Sequence, residues 1–427
     1  MTGLVVLLCV LVLVLINVPI AVALGIAAVA AMVATQGLSS LPNVPLTLYQ
    51  GATSFPLIAI PLFILAGAIM NTSGISQKLM DFCTALLGWM KGALAQVNVV
   101  SSMFFAEISG SAVADIAATG PIIIPAMKKA GYPGPFTAAV TSSTASLAII
   151  IPPSIPMILY GVMAGASIVQ LFVAGIVPGL LAGFTMMGLC HYYAVKHNWP
   201  VDQIFQWSKL WQAFKDAAWA LTLPFIILGG IFGGIVTATE GAALAVLAAL
   251  FIGGVIYREL DWKHLYQSLV DGGVQTAVVM LLVASSALLG HLLTELQMPQ
   301  QIAAWMTSLT DNKYYVLMLL NVFFLVAGLF LHSAAAIILV VPIVMPLVHA
   351  VGIDPVHFGL IITLNLGIGQ QTPPVASVLA ASCSIAKSDM WKTTVVNLPF
   401  IGVLFILLMM CTYVPAIPMF LVEYFYR

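Results

Sequence analysis

Two proline pairs are the groups in this sequence best suited to forming a binding site within apolar segments. Pro152 and Pro153 follow a hydroxyl-rich run, 141–146, and Pro373 and Pro374 follow an amide-containing run, 365–371. A proline pair removes two backbone donors and frees carbonyl oxygens one turn earlier, and such oxygens suit a dehydrated hard cation. Each break also begins a half-helix, whose partly positive N-terminus suits an anion. The same segments therefore offer ligands of both polarities.

The two pairs belong to a longer internal repeat. Four prolines and one glycine recur at a separation of 221 residues: Pro121, Pro125, Gly131, Pro152 and Pro153 as Pro342, Pro346, Gly352, Pro373 and Pro374. With 24 prolines in 427 residues, about 0.1 proline coincidences are expected by chance in this window, against four seen. Irregular backbone at membrane depth is stable only where it lines a cavity, so paired interruptions in corresponding halves indicate the binding site of a secondary transporter.

Acidic side chains in apolar segments mark further candidate positions. Asp115 follows Gly110 and Ser111 in a stretch of small and hydroxyl residues, and an acid at membrane depth costs ~2.5–3.5 kcal/mol even on the lenient insertion scale. Glu240 lies between two apolar spans and either belongs to the transport site or lies at the outer membrane surface. His332, at the equivalent place in the second copy, is either a core histidine or a polar lining residue.

Composition restricts the class of protein. Hydrophobic residues make up 62% of the chain and charged residues 6%, and the mean hydropathy is +1.12, which indicates an integral membrane protein. A net charge of −1 argues against nucleic-acid binding. Nucleotide-binding and hydrolase motifs are absent from the sequence, so transport would be driven by an ion gradient.

The hydropathy pattern predicts an all-α membrane protein with two inverted repeats. Its twelve apolar segments are 3–16, 18–34, 55–76, 93–127, 135–163, 168–195, 217–236, 239–257, 272–294, 315–349, 356–386 and 394–422. We predict a first repeat at 1–195, an interfacial connecting helix at 196–216 and a second repeat at 217–427. The segments 93–127 and 315–349 are predicted to be re-entrant hairpins, and 135–163 and 356–386 to be broken helices.

The distribution of lysine and arginine predicts that the repeats are inverted. The loop after the first hairpin contains Lys128 and Lys129, whereas the matching loop, 347–357, contains neither lysine nor arginine. Because cytoplasmic loops are enriched in basic residues, the two loops are expected on opposite sides of the membrane. The N-terminus is then outside, with a turn near Asn17, Val18 and Pro19, although one long tilted helix over 3–34 is an alternative.

Four long motifs resemble a known family. They are GSAVADIAATGPIIIPAMKKAGY (110–132), IIPPSIPMILYG (150–161), TATEGAA (237–243) and GIGQQTPPVASVL (367–379). They are similar to the large membrane subunit, the M subunit, of tripartite ATP-independent periplasmic (TRAP) transporters, and the resemblance covers essentially the whole chain. It implies a bacterial inner-membrane uptake system of the elevator type, driven by two or more sodium ions.

The resemblance also implies partners and site residues. The partners would be a small four-helix membrane subunit (Q-type), expected to be a separate polypeptide, and a periplasmic substrate-binding protein (P-type). Substrate binding would fall to Ser111, Asp115, Ser154 and Gln371. Sodium binding would fall to Gly110, Ser111, Asp115, Ser143, Ser333, Gly369, Thr372 and Pro373. Glu240 lies in a matched motif without a defined role.

We therefore expect sodium-driven import of a small organic anion, with sialic acid favoured over a C4-dicarboxylate. Arg258 and Arg427 are the only arginines and lie outside the broken segments, which argues against a bidentate clamp on the substrate. A proton-coupled carboxylate transporter is the nearest alternative. An intramembrane enzyme using Asp115 with Glu240 or His332 as acid and base would instead show turnover without a partner protein or an ion gradient. A channel or passive scaffold would show conduction without saturable, sodium-dependent uptake.

Overall fold

A computed structural model describes residues 2–16, 18–199, 201, 204–310 and 312–426. All regular secondary structure in these residues is helical, as predicted. The predicted turn residue Asn17 lies outside the described residues, and so does Arg427. Eight of the described helices are long and apolar enough to cross a membrane.

Among the residues that the structure describes, the first half of the chain contains ten α-helices, separated by short turns. They are α1 (Thr2–Leu15), α2 (Ile20–Gln36), α3 (Asn43–Ala52), α4 (Ala59–Thr72), α5 (Ile75–Leu87), α6 (Ala93–Ser109), α7 (Ala112–Lys129), α8 (Gly134–Ala145), α9 (Ile155–Ala164) and α10 (Ile168–Lys196).

The second half contains another ten. They are α11 (Trp207–Phe232), α12 (Ala238–Phe251), α13 (Trp262–Glu295), α14 (Met298–Leu309), α15 (Lys313–Phe330), α16 (Ser333–Ala350), α17 (Pro355–Gly369), α18 (Ser377–Ala386), α19 (Met390–Tyr413) and α20 (Ala416–Tyr426).

Both hairpins and both broken helices are present where the sequence predicts them. The first hairpin is α6 and α7, joined at Gly110, whose φ of +57° favours a residue without a Cβ atom. The second is α15 and α16, and α7 and α16 are related by the offset of 221 at both ends. The first proline pair separates α8 from α9, and the second separates α17 from α18. A 3₁₀ turn at Ser146–Ile149 precedes the first pair. Both Pro–Pro peptide bonds are cis.

The two repeats pack against each other reciprocally. Helix α7 contacts α18 and helix α16 contacts α9, so each hairpin covers the second half of the other repeat's broken helix. Helix α19 likewise contacts α8, and α10 contacts α17. Matched exchanges of this kind are expected when a pseudo-two-fold axis relates two repeats. The opposite orientation of the repeats in the membrane stays a prediction.

The helices form two groups that draw on both halves of the chain. In one group α4 packs against α12 and α13, and α13 packs against α2 and α3. The other group contains the hairpins, the broken helices and the long helices α10 and α19. Helix α5 contacts α6, and α14 contacts α16, so these two short helices link the groups at the two hairpins.

Buried polar side chains tie each hairpin to its own broken helix. In the first repeat the Ser102 hydroxyl donates to Thr144 Oγ1 over 3.2 Å. In the second repeat Asn365 Nδ2 donates to Asn321 Oδ1 over 2.7 Å, and Thr144 and Asn365 are equivalent positions. Because a buried polar group without a partner is costly, these pairs favour one register between hairpin and broken helix.

Some segment boundaries differ from the sequence predictions. Helices α1 and α2 are separate and pack against each other, so the chain is not one helix over 3–34. The described residues of the predicted connecting helix, 196–216, do not form a separate helix. From Trp207 onward they belong to α11, which continues into the apolar segment and ends at Phe232. The segment 394–422 is divided between α19 and α20, next to Pro415. Helix α3 was not predicted, because its sequence is short and only moderately apolar.

A close backbone contact fixes the second hairpin against the second break and leads to a stability prediction. A Cβ atom at Gly369 would lie 2.5 Å from Gly328 Cα and 2.6 Å from its carbonyl carbon. We expect Gly369→Ala to lower stability by about 1–3 kcal/mol, because backbone cannot move aside as a side chain can. The apparent melting temperature in detergent or nanodiscs measures this. Gly367→Ala is the control, since its Cβ would meet only Ile149 Cδ1 at 3.9 Å. Equal melting of the two variants would contradict the prediction.

Candidate functional site

A cavity of about 480 Å³ lies where the two hairpin tips face α4 and α13. The first tip contributes Ser109, Ser111 and the first turns of α7, and the second contributes His332, Ser333 and Ala334. Asn71 of α4 and Gln275 of α13 face them from the other helix group. Among the described residues that line the cavity there is no lysine, arginine, aspartate or glutamate. The cavity is therefore polar where the hairpin tips line it, and His332 is its one titratable lining residue among those described.

Two helix N-termini open onto this cavity without side-chain caps. Ser111 is the N-cap of α7 and His332 is the N-cap of α16, and neither side chain accepts a hydrogen bond from its helix. The backbone geometry is matched, since Asp115 N donates to Ser111 O over 2.9 Å and Ala336 N donates to His332 O over 3.0 Å. The first-turn N–H groups of both helices thus lack intrahelical partners and carry partial positive charge. This arrangement suits an anion placed between the tips.

Each break is attached to the tip of its own hairpin by a backbone hydrogen bond. Ile155 N donates to Gly110 O over 3.2 Å, and Val375 N donates to Leu329 O over 3.3 Å. Gly110 also lies so close to the break that a Cβ atom there would be 2.9 Å from Pro153 O. Each tip therefore lies against the break of its own repeat, next to the cavity.

Asp115 is fully buried one turn into α7, behind the first tip. It does not line the cavity. Neither carboxylate oxygen has a hydrogen bond of standard geometry to a described residue, although the nearby Ser102 hydroxyl interacts with it. Buried carboxylates are normally paired or bound to a cation. These oxygens fit a sodium ion, since hard cations prefer oxygen ligands.

Ser143 and Gln371 meet in a buried polar contact between the two repeats. Ser143 Oγ lies 2.6 Å from Gln371 Oε1 and 2.6 Å from Asn397 Oδ1. Asn397 Nδ2 donates to Gln371 Oε1 over 3.2 Å, and Gln371 Nε2 donates to Gly367 O over 3.2 Å. We call these three side chains the inter-repeat triad. All three are fully buried, and Gln371 does not line the cavity.

The remaining predicted residues hold the local backbone. Ser154 caps α9: its hydroxyl donates to Ile149 O over 2.7 Å and accepts from Met157 N over 3.5 Å. The Thr372 hydroxyl donates to Ile368 O over 3.0 Å, next to Pro373. Glu240 is exposed and forms the capping box of α12 with Thr237. The assignment of Ser154 to substrate and of Thr372 to sodium stays a prediction, and in this structure Ser154, Thr372 and Glu240 each have a local hydrogen-bond partner.

Sequence reasoning missed several residues of the site. Gln370 lines the cavity while its neighbour Gln371, which was predicted, does not. Asn71 and Gln275 come from helices remote in sequence, and no local signal marks them. Asn397 is a single amide in an apolar segment, and that isolation was the available signal. His332 lines the cavity, which favours the polar-lining interpretation.

Comparison with known proteins gives a consistent family. The model of the tripartite ATP-independent periplasmic transporter, DctM component, matches residues 7–417. The chain is 40% identical over 395 residues to the isethionate TRAP transporter permease protein DctMQ of Oleidesulfovibrio alaskensis, covering 92% of this chain and 62% of that protein. It is 37% identical to the C4-dicarboxylate TRAP transporter large permease protein DctM of Vibrio cholerae, covering 88% of each. It is 36% identical to the sialic acid TRAP transporter large permease protein SiaM of the same species, again covering 88% of each.

A solved structure shares the fold. The crystal structure of the Alcanivorax borkumensis YdaH transporter superimposes with a TM-score of 0.60, covering 89% of this chain and 88% of that one. The two sequences are 17% identical, so this similarity concerns the fold alone.

The inter-repeat triad generates a prediction about stability. Gln371→Leu and Asn397→Leu should each lower the free energy of unfolding by about 1–3 kcal/mol, because each leaves buried polar partners unpaired. The double variant should cost less than the sum, since both changes disrupt one network. Unfolding in mixed detergent micelles measures all three, with the exposed Gln301→Leu as a control. Strictly additive losses would show that the two amides act independently.

Proposed function

The chain belongs to the DctM component family of tripartite ATP-independent periplasmic transporters, and from this premise we propose that it imports a small organic anion together with sodium ions. It is a multi-pass protein of the bacterial inner membrane, and its relatives are named as transport permeases rather than enzymes. The sodium coupling, the elevator motion, the substrate and the identity of the partner subunits are parts of the proposal.

The observation that carries the proposal is the cavity between the two uncapped helix N-termini. An anion entering a dry site needs compensating charge, because burying an unpaired carboxylate is very costly. The cavity lining contains no lysine or arginine among the described residues. Each helix terminus supplies roughly half an elementary charge, so the two together offset about one negative charge, and cations bound nearby would supply the balance for a dianion.

Sodium ions held near the tips would supply that balance. Asp115 presents two buried oxygens without standard hydrogen bonds behind the first tip, and the breaks present carbonyl and hydroxyl oxygens at both tips. A cation bound there would strengthen anion binding, and the anion would in turn strengthen cation binding, because such coupling is reciprocal. Mutual dependence of this kind is what symport requires.

The elevator motion is supported by the division into two helix groups. The cavity lies between them: the tips and breaks form one wall, and α4 and α13 form the other. Helices α5 and α14 contact both groups at the hairpins. Sliding of the hairpin group past α4 and α13 would carry the site across the membrane while these two short helices guide it.

Candidate substrates come from the relatives, whose names include isethionate, C4-dicarboxylate, 2,3-diketo-L-gulonate and sialic acid. All are small organic anions. The chain spans 62% of the length of the isethionate relative. We propose a periplasmic binding protein and a small membrane subunit as partners, in keeping with the tripartite family.

Reconstituted uptake tests the proposed function. Proteoliposomes containing the chain and its small subunit would be supplied with binding protein and with radiolabelled isethionate, C4-dicarboxylate or sialic acid. We expect accumulation of one solute only with an inward sodium gradient and the binding protein. Accumulation driven by a pH gradient at equal sodium concentrations would favour the proton-coupled alternative, and sodium-independent equilibration would contradict symport.

The same assay tests the role of Asp115. Asp115→Asn should lower sodium-dependent uptake at least about tenfold, as expected when cation binding loses about 1.4 kcal/mol, because an amide cannot neutralise a cation. Folded yield after size-exclusion chromatography should stay near that of the parent. Asp81→Asn is the control, since Asp81 is exposed in α5 and accepts a hydrogen bond from Gln77. Normal sodium dependence of the Asp115 variant would remove this residue from the cation site.

A further inference from the structure

Gln370 places a hydrogen-bond acceptor without a partner in the wall of the cavity. Its side chain is 2% exposed, and its Nε2 group donates to Leu366 O over 3.4 Å. Its Oε1 atom is buried and has no hydrogen-bond partner among the described residues. Leaving such an acceptor unpaired is unfavourable, so a ligand that enters the cavity and donates a hydrogen bond to it would bind more tightly.

Comparison of the two repeats shows that only the second break places an amide oxygen at this position of the cavity wall. Gln370 corresponds to Ile149 under the offset of 221, and both residues line the cavity. The wall is thus apolar beside the first break and polar beside the second. His332, where the first tip has Ser111, adds a second nitrogen-containing side chain on the same side. A substrate that fills the cavity therefore meets two chemically different ends.

The other polar side chains at the tips do not require a hydrogen-bond donor on the ligand. Ser109, Ser111 and Ser333 carry hydroxyl groups, which can donate to an anion or accept from a donor. An amide oxygen can only accept. The first-turn N–H groups of α7 and α16 suit the anionic group itself, so Gln370 Oε1 is available for a different part of the same molecule.

We propose that Gln370 determines substrate specificity by accepting a hydrogen bond from a hydroxyl group of the transported anion. The substrate is then a hydroxylated organic acid or sulfonate rather than an unsubstituted dicarboxylate, which in its ionised form has acceptors only. This inference rests on the proposed function, because it assumes that the cavity binds the transported anion. It assigns the anionic group to the helix N-termini and the hydroxyl group to the second break.

Matched pairs of anions test this assignment at the membrane protein itself. The purified full chain with its small subunit, in lipid nanodiscs and sodium buffer, would be titrated with isethionate against ethanesulfonate and with L-malate against succinate. The members of each pair differ by one hydroxyl group. Binding is read from the shift of the melting temperature, so the selectivity of the periplasmic binding protein does not enter.

We expect the hydroxylated member of at least one pair to bind roughly ten- to a hundredfold more tightly, as one hydrogen bond to a buried acceptor allows. Gln370→Met keeps the length of the side chain and removes the amide, so it should bring the affinity ratio of that pair close to one. It should do so by weakening the hydroxylated member while leaving the other member unchanged or slightly stronger. Gln301→Met, an exposed substitution of the same kind in α14, should leave the ratio as in the parent protein.

Four results would overturn the inference, three of which concern the affinity ratio. They are equal binding of both members of both pairs by the parent protein, an unchanged ratio in Gln370→Met, and an equal loss for both members, which would mean that Gln370 supports the structure only. Absence of binding of all four anions would also overturn it. The proposed function is judged separately, since sodium-dependent binding without a hydroxyl preference refutes the specificity alone, whereas sodium-independent binding refutes the coupling and leaves the ratio readable.

Discussion

The architecture depends on one constraint, which is that backbone polar groups inside a membrane must find partners within the protein. Two proline pairs interrupt helical hydrogen bonding at the centre of the fold, and after each pair one backbone N–H group donates to a carbonyl oxygen of the neighbouring hairpin. Ile155 donates to Gly110, and Val375 donates to Leu329. A hairpin at each break supplies the acceptor that this backbone group needs, and at the first tip Gly110 lets the two backbones approach closely. The cavity follows, because the two tips meet at the place where the helices are interrupted.

Those parts of the fold that depend on backbone chemistry could be predicted from the sequence. Proline and glycine act through local dihedral angles, so the breaks and the tip at Gly110 are visible without any knowledge of packing. Side-chain direction is less accessible. Gln371 was expected to bind substrate, but successive residues on a helix point about 100° apart, and Gln370 lines the cavity instead. Asn71 and Asn397 were not found, because their roles depend on contacts between helices far apart in sequence.

The distribution of charge explains why two solutes would move together. A fixed arginine in the cavity would bind an anion at all times, whether or not a cation is present. This chain instead offers weak partial charges at two helix ends and a buried carboxylate, Asp115, set behind the first tip. In the proposed symport, each ligand would make the site favourable for the other. Under the proposed symport, a half-loaded site would carry an uncompensated charge into the apolar interface between the helix groups, which would raise the barrier to the proposed movement.

The reciprocal packing of the repeats has a consequence for how the protein is made. Helix α7 is covered by α18, and α9 is covered by α16, so each half provides part of the other's interior. The ribosome completes α7 some 250 residues before α18, on the order of tens of seconds at usual rates of synthesis. During that interval Asp115 and the first break lack the helices of the second repeat that pack against them in the finished structure. The first repeat must therefore remain inserted while these polar groups lack their final partners. It acquires its final packing only when the C-terminal helices have been synthesised.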